Sequence, residues 1–559
     1  MVKKFFSFLG QEMEGLHQAA YLIASFAFLS QLLALIRDRL LAHTFGAGKA
    51  LDIYYAAFRI PDLIFVTAAS IVSLSILIPF IVEVRERGKE ETKRLINSIF
   101  SFFFLFIGTV SLIAFFLIPF LLPKLFPGFS PADISYLIFL SRLLLLSPIF
   151  LGFSNLLGSI TQAHRQFFIY ALSPLLYNLG IIGGIIFLAP LWGITGIVIG
   201  VLLGALFHFL IQVPSVFSLG LFPHPTFSLD FSSIRKIIFI SLPRTFTLSV
   251  SNIEIFVLLG FASLYTAGSI SVFNLSYNLQ SISLSIIGVS YSLAAFPTLA
   301  RLFSKGEKKE FLEHILVSAR HIIFWSVPLA VLFIVLRAQI VRVVLGSGLF
   351  DWGDTRLTAA ALALFTISVV FQSLELLFTR GYYSAGKTFA PFIASLTSGV
   401  ITISFAFYLN FVFQTSSSFR FFVESLLRVE DLPGTVILML PLAYSIGACF
   451  NSLLLGILFH IDFRGFSFPL IKTFFHSFAA SVIMGFYAYL SLNFLGSFLD
   501  LDTFSGIFLQ GLGAGIVGVS IGILVLQLLD NEEFKEVSDA LHRKVPTPRL
   551  VSPETTDLL

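Results

Sequence analysis

The strongest constraint on the fold is a succession of apolar runs, each about as long as a bilayer is thick, recurring from residue 17 to residue 529. In hydrocarbon every backbone N–H and C=O must find a partner inside the protein, so runs of this length cross as helices. About 20 residues cover a hydrocarbon core about 30 Å thick. Read on that rule, the chain has about fourteen spans, at 17–41, 53–82, 95–122, 133–161, 167–189, 192–214, 236–262, 270–300, 313–336, 357–381, 389–413, 434–459, 467–494 and 504–529. With 12% charged residues in 559, against about 25% in soluble domains, the chain is expected to be an all-α polytopic membrane protein. The segments between spans are too short to fold alone. The longest, 414–434, is a loop of mixed charge, and a soluble catalytic domain is excluded.

The chain also reads as a duplication. The stretch from Phe45 to Ser98 echoes Leu264 to Ser318, with Ala47-Gly48 recurring as Ala267-Gly268 and Pro79 as Pro297. Asp133 falls opposite Asp354, and Gln166-Phe167-Phe168 opposite Lys387-Thr388-Phe389, at a nearly constant offset. Internal repeats of this kind build many transporters. We therefore expect two pseudo-symmetric six-helix lobes plus two C-terminal helices: 1–216 (spans 1–6), 217–459 (spans 7–12), 460–530 (spans 13 and 14) and a tail, 531–559.

Charge sets the orientation. Loops after even-numbered spans hold Arg85, Arg87, Lys89, Lys93, Arg94, Arg165, Arg301, Lys305, Lys308, Lys309 and Lys387, whereas loops after odd-numbered spans are poorer in Lys and Arg. By the positive-inside rule both termini are expected in the cytoplasm of a bacterial cell, with the protein in its inner membrane. That asymmetry accounts for the net charge of +4 and calls for no nucleic-acid partner. The lone cysteine, Cys449, provides neither a disulfide nor a cysteine metal site. Lys3 and Lys4 precede an apolar stretch cut short by Gln11, Glu12 and Glu14, so the first span is expected to be retained, not cleaved as a signal.

Ionisable groups at membrane depth cost about 2.5–3.5 kcal/mol on insertion scales, which makes each one a functional candidate. Arg37, Asp38 and Arg39 end the first span; Asp52, Arg59 and Asp62 surround the start of the second. Polar residues recur at helical spacing in three further spans: Arg244, Thr247, Ser251 and Glu254; Ser271, Asn274, Asn278 and Ser281; Ser368, Gln372, Glu375 and Thr379. Such spacing puts each set on one helix face. Charged clusters in the first half and polar stripes in the second predict a hydrated cavity between two lobes, with Glu254 as a cation or coupling site or as a partner for an arginine. No catalytic residue, resident metal or cofactor is expected. His43, His164, His208 and His460 are scattered, with no paired-histidine metal motif, which argues against a membrane-embedded transferase. There is no Walker motif for ATP coupling.

These residues resemble the MurJ/MviN family of lipid II flippases, within the multidrug/oligosaccharidyl-lipid/polysaccharide exporter superfamily. The likeness rests on Arg37-Asp38, Phe45-Gly46-Ala47-Gly48, Asp52 and Phe58-Arg59-Ile60-Pro61, then on Ala171, Pro174 and Asn178, and on Tyr382-Tyr383-Ser384. It implies a V-shaped cationic cavity that receives the pyrophosphate and sugars of a polyprenyl-linked precursor, and a groove for its lipid tail along the last two helices. Substrate positions carried over are Arg37, Asp38, Asp52 and Arg59, with Arg244 and Asn278 added from the stripes. The implied function is translocation of the lipid-linked peptidoglycan precursor by alternating access, driven by Na+ or H+ or by the membrane potential. Membrane lipids and cell-wall synthesis proteins are the implied partners. The sequence departs from the family at Gln31, Phe65-Val66, Ser70-Ile71 and Asn278, where the resemblance leads one to expect charged residues, mostly basic. Arg142 and Arg244 are the candidates to replace that charge. Export of another polyprenyl-linked glycan or amphipathic compound, or a non-transporting scaffold derived from a flippase, are the alternatives.

Overall fold

The computed structural model of the chain describes residues 16–71, 74–463 and 470–542, with side chains for all of these except 16–20, 69–76, 243–244 and 540–542. The described residues form helices joined by turns and short irregular segments, with no strand among them. Among them, thirteen helices are long and apolar enough to cross a membrane. The first span is α1 (Leu16–Phe45). The second, expected to be continuous over 53–82, is instead broken at Phe58, between α2 (Lys49–Ala57) and the stretch described as α3 (Arg59–Ile71) and α4 (Leu74–Arg85), with 72–73 outside the described residues. That break falls just before Arg59 and Pro61, where the proline nitrogen has no hydrogen to donate. Broken helices at membrane depth are tolerated where they line a cavity.

The third span is α5 (Lys89–Leu125) and the fourth is α6 (Pro131–Leu144) followed by α7 (Leu146–Ala163). The fifth is α8 (Phe167–Gly183), extended through a π-helical turn into α9 (Ala189–Trp192), and the sixth is α10 (Ile194–Leu210) with a short α11 (Val213–Ser218). Helix α8 packs on α1 and α10. Glycines permit the α8–α10 approach, since a Cβ on Gly180 would lie 2.3 Å from the Gly204 Cα, a small-residue contact common between membrane helices.

The second half repeats the plan. It comprises α12 (Phe231–Ala262), α13 (Ser269–Leu284) continued by α14 (Ser290–Ser304), α15 (Lys308–Val335) with α16 (Arg337–Val344), α17 (Trp352–Ser384), α18 (Phe389–Thr415), a short α19 (Ser417–Leu427) and α20 (Met439–Asp462). Helix α17 is central, packed against α13, α15 and α20. The duplicated aspartates occupy equivalent positions. Asp133 joins a capping box with Ser130 at the start of α6, and Asp354 sits at the same position in α17, its N–H bonded to Asp351. Two final helices, α21 (Leu470–Gly496) and α22 (Phe504–Leu528), pack on each other, with α21 against α15. The fold is thus an all-α membrane bundle of two lobes with two added helices, with thirteen of the about fourteen expected spans meeting the length and hydropathy of a crossing helix among the described residues.

Loop positions check the span register. The loops after spans 1, 3, 7, 9 and 11 gather at one end: Gly46 abuts Leu349, Gly128 abuts Ser263, Gly268 abuts Ala47 and Gly434 abuts Thr266. At the other end the segment between spans 6 and 7 bonds to the start of α5, through His224 N–H to Asn97 and Asp230 N–H to Ser98. There too α23 (Glu532–His542) clamps the two added helices to α15. Arg320 reaches Glu533 at 2.6 Å and Glu532 at 2.7 Å, and His321 lies 3.0 Å from Glu536. Lys472 and Arg320 hold the Glu532 carboxyl below its ordinary range.

Candidate functional site

The two lobes meet along a line of side chains from opposite halves. On α13, Ser271, Asn274 and Asn278 form the stripe expected from spacing, and each bonds to a charged residue of the other lobe. Asp52 accepts from Gly268 N–H (2.6 Å), Ser271 N–H (2.7 Å) and Ser271 Oγ (2.6 Å). Arg59 donates to Asn274 Oδ1 at 3.1 Å, and Asn278 Nδ2 donates to Asp38 at 3.0 Å. The order runs from the end where odd-numbered loops gather toward the middle of the bundle.

At the top of that line the closure is tight and reciprocal. Asp52, 3% exposed, sits on the N-terminus of α13, where unpaired N–H groups and the helix dipole favour a carboxylate. In the opposite sense, Asp354 of the second lobe accepts from Ala47 N–H of the first at 3.0 Å. Arg39 donates to Val343 O at 2.5 Å, and Leu349 N–H to His43 O at 2.9 Å. Gly268 has φ +96° and a Cβ there would overlap the Ala47 carbonyl oxygen. Only glycine meets both demands.

Below this closure lies a cavity of about 200 Å³ lined by Arg37, Asp38, Tyr54, Tyr55, Arg59, Asp62, Tyr177, Asn274 and Asn278, among others. Arg37 pairs with Asp38 at 2.8 Å and donates to Asn178 Oδ1 at 3.3 Å. Asn178 in turn donates to Ser30. Arg59, at the head of α3, is steadied by Tyr55 O at 3.1 Å. Of the residues expected at the site from sequence, the structure brings Arg37, Asp38, Arg59 and Asn278 together here. Asp52 stands apart, in the closure. Arg244 lies on α12, but its side chain is outside the described residues. Arg142, expected as a compensating cavity charge, points elsewhere: it donates to Phe115 O at 3.1 Å and its guanidinium lies 4.3 Å from the Phe115 ring centroid. An arginine near a helix end gains from an aromatic face and a free carbonyl without entering the core.

The described charges in the cavity therefore balance, Arg37 and Arg59 against Asp38 and Asp62. Sequence reading missed the tyrosine wall, Tyr54, Tyr55 and Tyr177, because buried tyrosines in a membrane chain look like ordinary packing. A pocket of 200 Å³ is also below the range of about 300–1,000 Å³ usual for small-molecule ligands. This is a closed-down form.

A second pocket, about 190 Å³, lies within the second lobe. Glu254 and Ser251 of α12 meet Gln372 and Glu375 of α17, with Tyr277, Ser398, Tyr444 and Asn451 around them. Two of the expected stripes thus converge. Asn451 Oδ1 is buried with no hydrogen-bond partner among the described residues. Two carboxylates with amide and hydroxyl oxygens form an all-oxygen donor set, which suits a hard cation or a shared proton. Between the lobes, α12 packs on α3, where Thr67 and Ser249 lie 3.3 Å apart. By contrast, the half of α1 before Arg37 is open, with Tyr21 73% and Phe28 65% exposed.

A two-lobed helical bundle, closed at one end by interlocking helix termini and holding a charged cavity below the closure, defines a membrane transporter. It is not an enzyme. The chain belongs to the lipid II flippase MurJ family, whose model matches residues 41–509. It is 27% identical to a probable lipid II flippase MurJ of Thermotoga maritima over 70% of this chain and 78% of that protein. It is 22% identical to the lipid II flippase MurJ of Burkholderia cenocepacia over 79% of this chain and 83% of that protein. In fold it is similar to a solved structure of a lipid II flippase MurJ in an inward closed conformation, with a TM-score of 0.72 and 24% identity, covering 93% of this chain and all of that one. A multidrug MATE transporter in an inward-facing conformation is more distant, with a TM-score of 0.62 and 14% identity over 81% of this chain and 99% of that one.

Proposed function

We propose that this protein flips lipid II, the polyprenyl-linked peptidoglycan precursor, across the bacterial cytoplasmic membrane by alternating access. The observation that carries this is the Arg37–Asp38–Asn278 and Arg59–Asn274 constellation directly below an interlocked closure. Residues 1–216 and 217–459 act as the moving lobes, and 460–530 hold the lipid tail. With both termini cytoplasmic, the closure at Asp52 faces outward and the cavity is reached from inside. The pyrophosphate displaces Asp38 from Arg37 and takes bidentate bonds from Arg37 and Arg59, which offset its lost hydration. Arg244 adds charge from the second lobe. Separation of Asp52 from α13 then opens the cavity outward.

Direction comes from a cation or proton at Glu254 and Glu375, or from the membrane potential, worth about 2.3 kcal/mol per charge per 100 mV. Glu254→Gln is expected to slow flipping about tenfold and to flatten its dependence on an imposed Na+ or pH gradient. An unchanged gradient dependence would leave the potential as the drive.

The balanced cavity charge favours one second reading, export of a different polyprenyl-linked glycan with less phosphate. Reconstituted protein offered defined polyprenyl-pyrophosphate substrates decides between them: flipping of lipid II supports the first, and flipping only of other glycans the second. Orientation is tested separately. With Cys449 replaced by Ser, a cysteine at Lys89 is expected to resist an impermeant thiol reagent in intact cells while one at Glu430, in the same loop as Ser417, reacts. Reaction of both from one side would break the span register.

A further inference from the structure

Helix α19 turns the wrong face outward for a helix in water. Of its two charged residues, Glu424 is 6% exposed, held by Arg420 at 2.9 Å and by the Thr435 hydroxyl at 2.5 Å, while the exposed Arg420 lies along the helix toward Glu424 with its guanidinium near the Phe413 ring, as a long basic side chain at an interface does. Its outer face carries Phe421 at 66%, Phe422 at 61% and Leu426 at 63% exposure. A helix at an aqueous surface shows the reverse pattern, and clustered exposed aromatics mark an interaction surface.

Its depth is fixed from two directions. It leaves α18 after a single residue, Ser416, and α18 exposes Phe407, Tyr408 and Phe411 to the bilayer just before that point. At its other end Arg428 donates to the Tyr489 hydroxyl at 2.9 Å. Tyr489 lies seven residues before the end of α21 at Gly496, or about 10 Å inward at 1.5 Å per residue. A 27-residue helix is about 40 Å long against a core of about 30 Å, so Tyr489 stands near the hydrocarbon boundary. The apolar face of α19 is therefore continuous with the lipid-facing belts of α18 and α21.

We propose that α19 is an interfacial helix, seated in the outward leaflet with Phe421, Phe422 and Leu426 among the acyl chains and glycerol backbones of membrane lipids. Its seat is tied to the closure between the lobes. Arg356 of α17 bonds Asp431 at 2.5 Å and Arg428 O at 2.6 Å, and Gly434 presses on Thr266 beside the α13 cap. The assignment of the leaflet rests on the orientation proposed above; immersion itself does not.

The test uses the full chain in proteoliposomes, with Cys449 replaced by Ser and a nitroxide on a single cysteine at Phe421, Phe422, Leu426 or Glu430. Collision with oxygen is expected to exceed collision with a neutral nickel chelate at the first three positions, and the order to reverse at Glu430. Chelate access at Phe422 equal to that at Glu430 would put the helix in water and overturn the proposal. Labels shielded from both quenchers would show a protein covering, from a second copy or from this chain, and overturn it equally. As a check on folding, Phe422→Asp is expected to raise chelate access at Leu426 severalfold while Glu430 stays unchanged. No change at Leu426 would count against immersion.

Discussion

Arg37→Ala abolishes flipping while leaving the amount of protein in the membrane unchanged; that is the expected result with the largest effect on transport. The guanidinium is held in place by Asp38 and Asn178, so it is pre-organised for a planar, bidentate anion. Hydrogen bonds to charged groups contribute about 1.5–3 kcal/mol each, and losing two of them lowers phosphate affinity by a factor of about 100 or more. The alanine also leaves Asp38, 4% exposed, without its counter-charge, and an uncompensated carboxylate in the cavity repels the substrate further. Insertion survives because the flanking core residues Leu41 and Ala42 keep their buried packing. Flipping of a fluorescent polyprenyl-pyrophosphate substrate in proteoliposomes measures it. Arg37→Lys keeps the charge without the fork and should recover part of the rate. An alanine variant that flips at the full rate would reduce Arg37 to an interfacial anchor.

Much of this site was legible because membrane insertion makes polar residues conspicuous. Arg37, Asp38 and Arg59 stood out against apolar surroundings, and the α13 stripe showed at helical spacing that one face was polar. Its partners were not legible. Asp52 and Gly268 are joined across the lobes at a separation of 216 positions, and no local pattern encodes which carboxylate meets which helix terminus. The same blindness misplaced Arg142, whose partner is a carbonyl and ring on the preceding span. Glu375 was visible in the α17 stripe, yet its convergence with Glu254 needed the packing of α12 on the other second-lobe helices. The division of the second span escaped a rule based on mean hydropathy, although Arg59, Pro61 and Asp62 mark the place. Helix α19 was read as loop because 11 residues are too few for a span, and because its mixed charges hide that the carboxylate Glu424 turns inward.

Asp52→Ala is expected to shift the protein toward its outward-open form. Three bonds converge on one buried carboxylate, each worth about 1.5–3 kcal/mol to a charged acceptor, and the dipole of α13 adds to them. Their joint loss is comparable with the roughly 5.5 kcal/mol that converts a 1:99 population into 99:1. The open form then fills even if part of that energy is recovered by water at the freed N–H groups. A cysteine in place of Ile181, which lines the cavity, reports it in a background lacking Cys449. Its labelling by an impermeant reagent from the outer face should rise at least tenfold in the alanine variant. Asp52→Asn keeps an acceptor but loses the charge, and should fall between. Asp354→Ala removes one described cross-lobe bond, to Ala47 N–H, and should shift labelling by less than either. Flipping falls in Asp52→Ala despite easier opening, because a transporter that cannot reclose outside spends few cycles accepting substrate from within. Labelling of Ile181→Cys that does not respond to Asp52→Ala would mean that the lobes are held together elsewhere, with the packing of α12 on α3 the next place to cut.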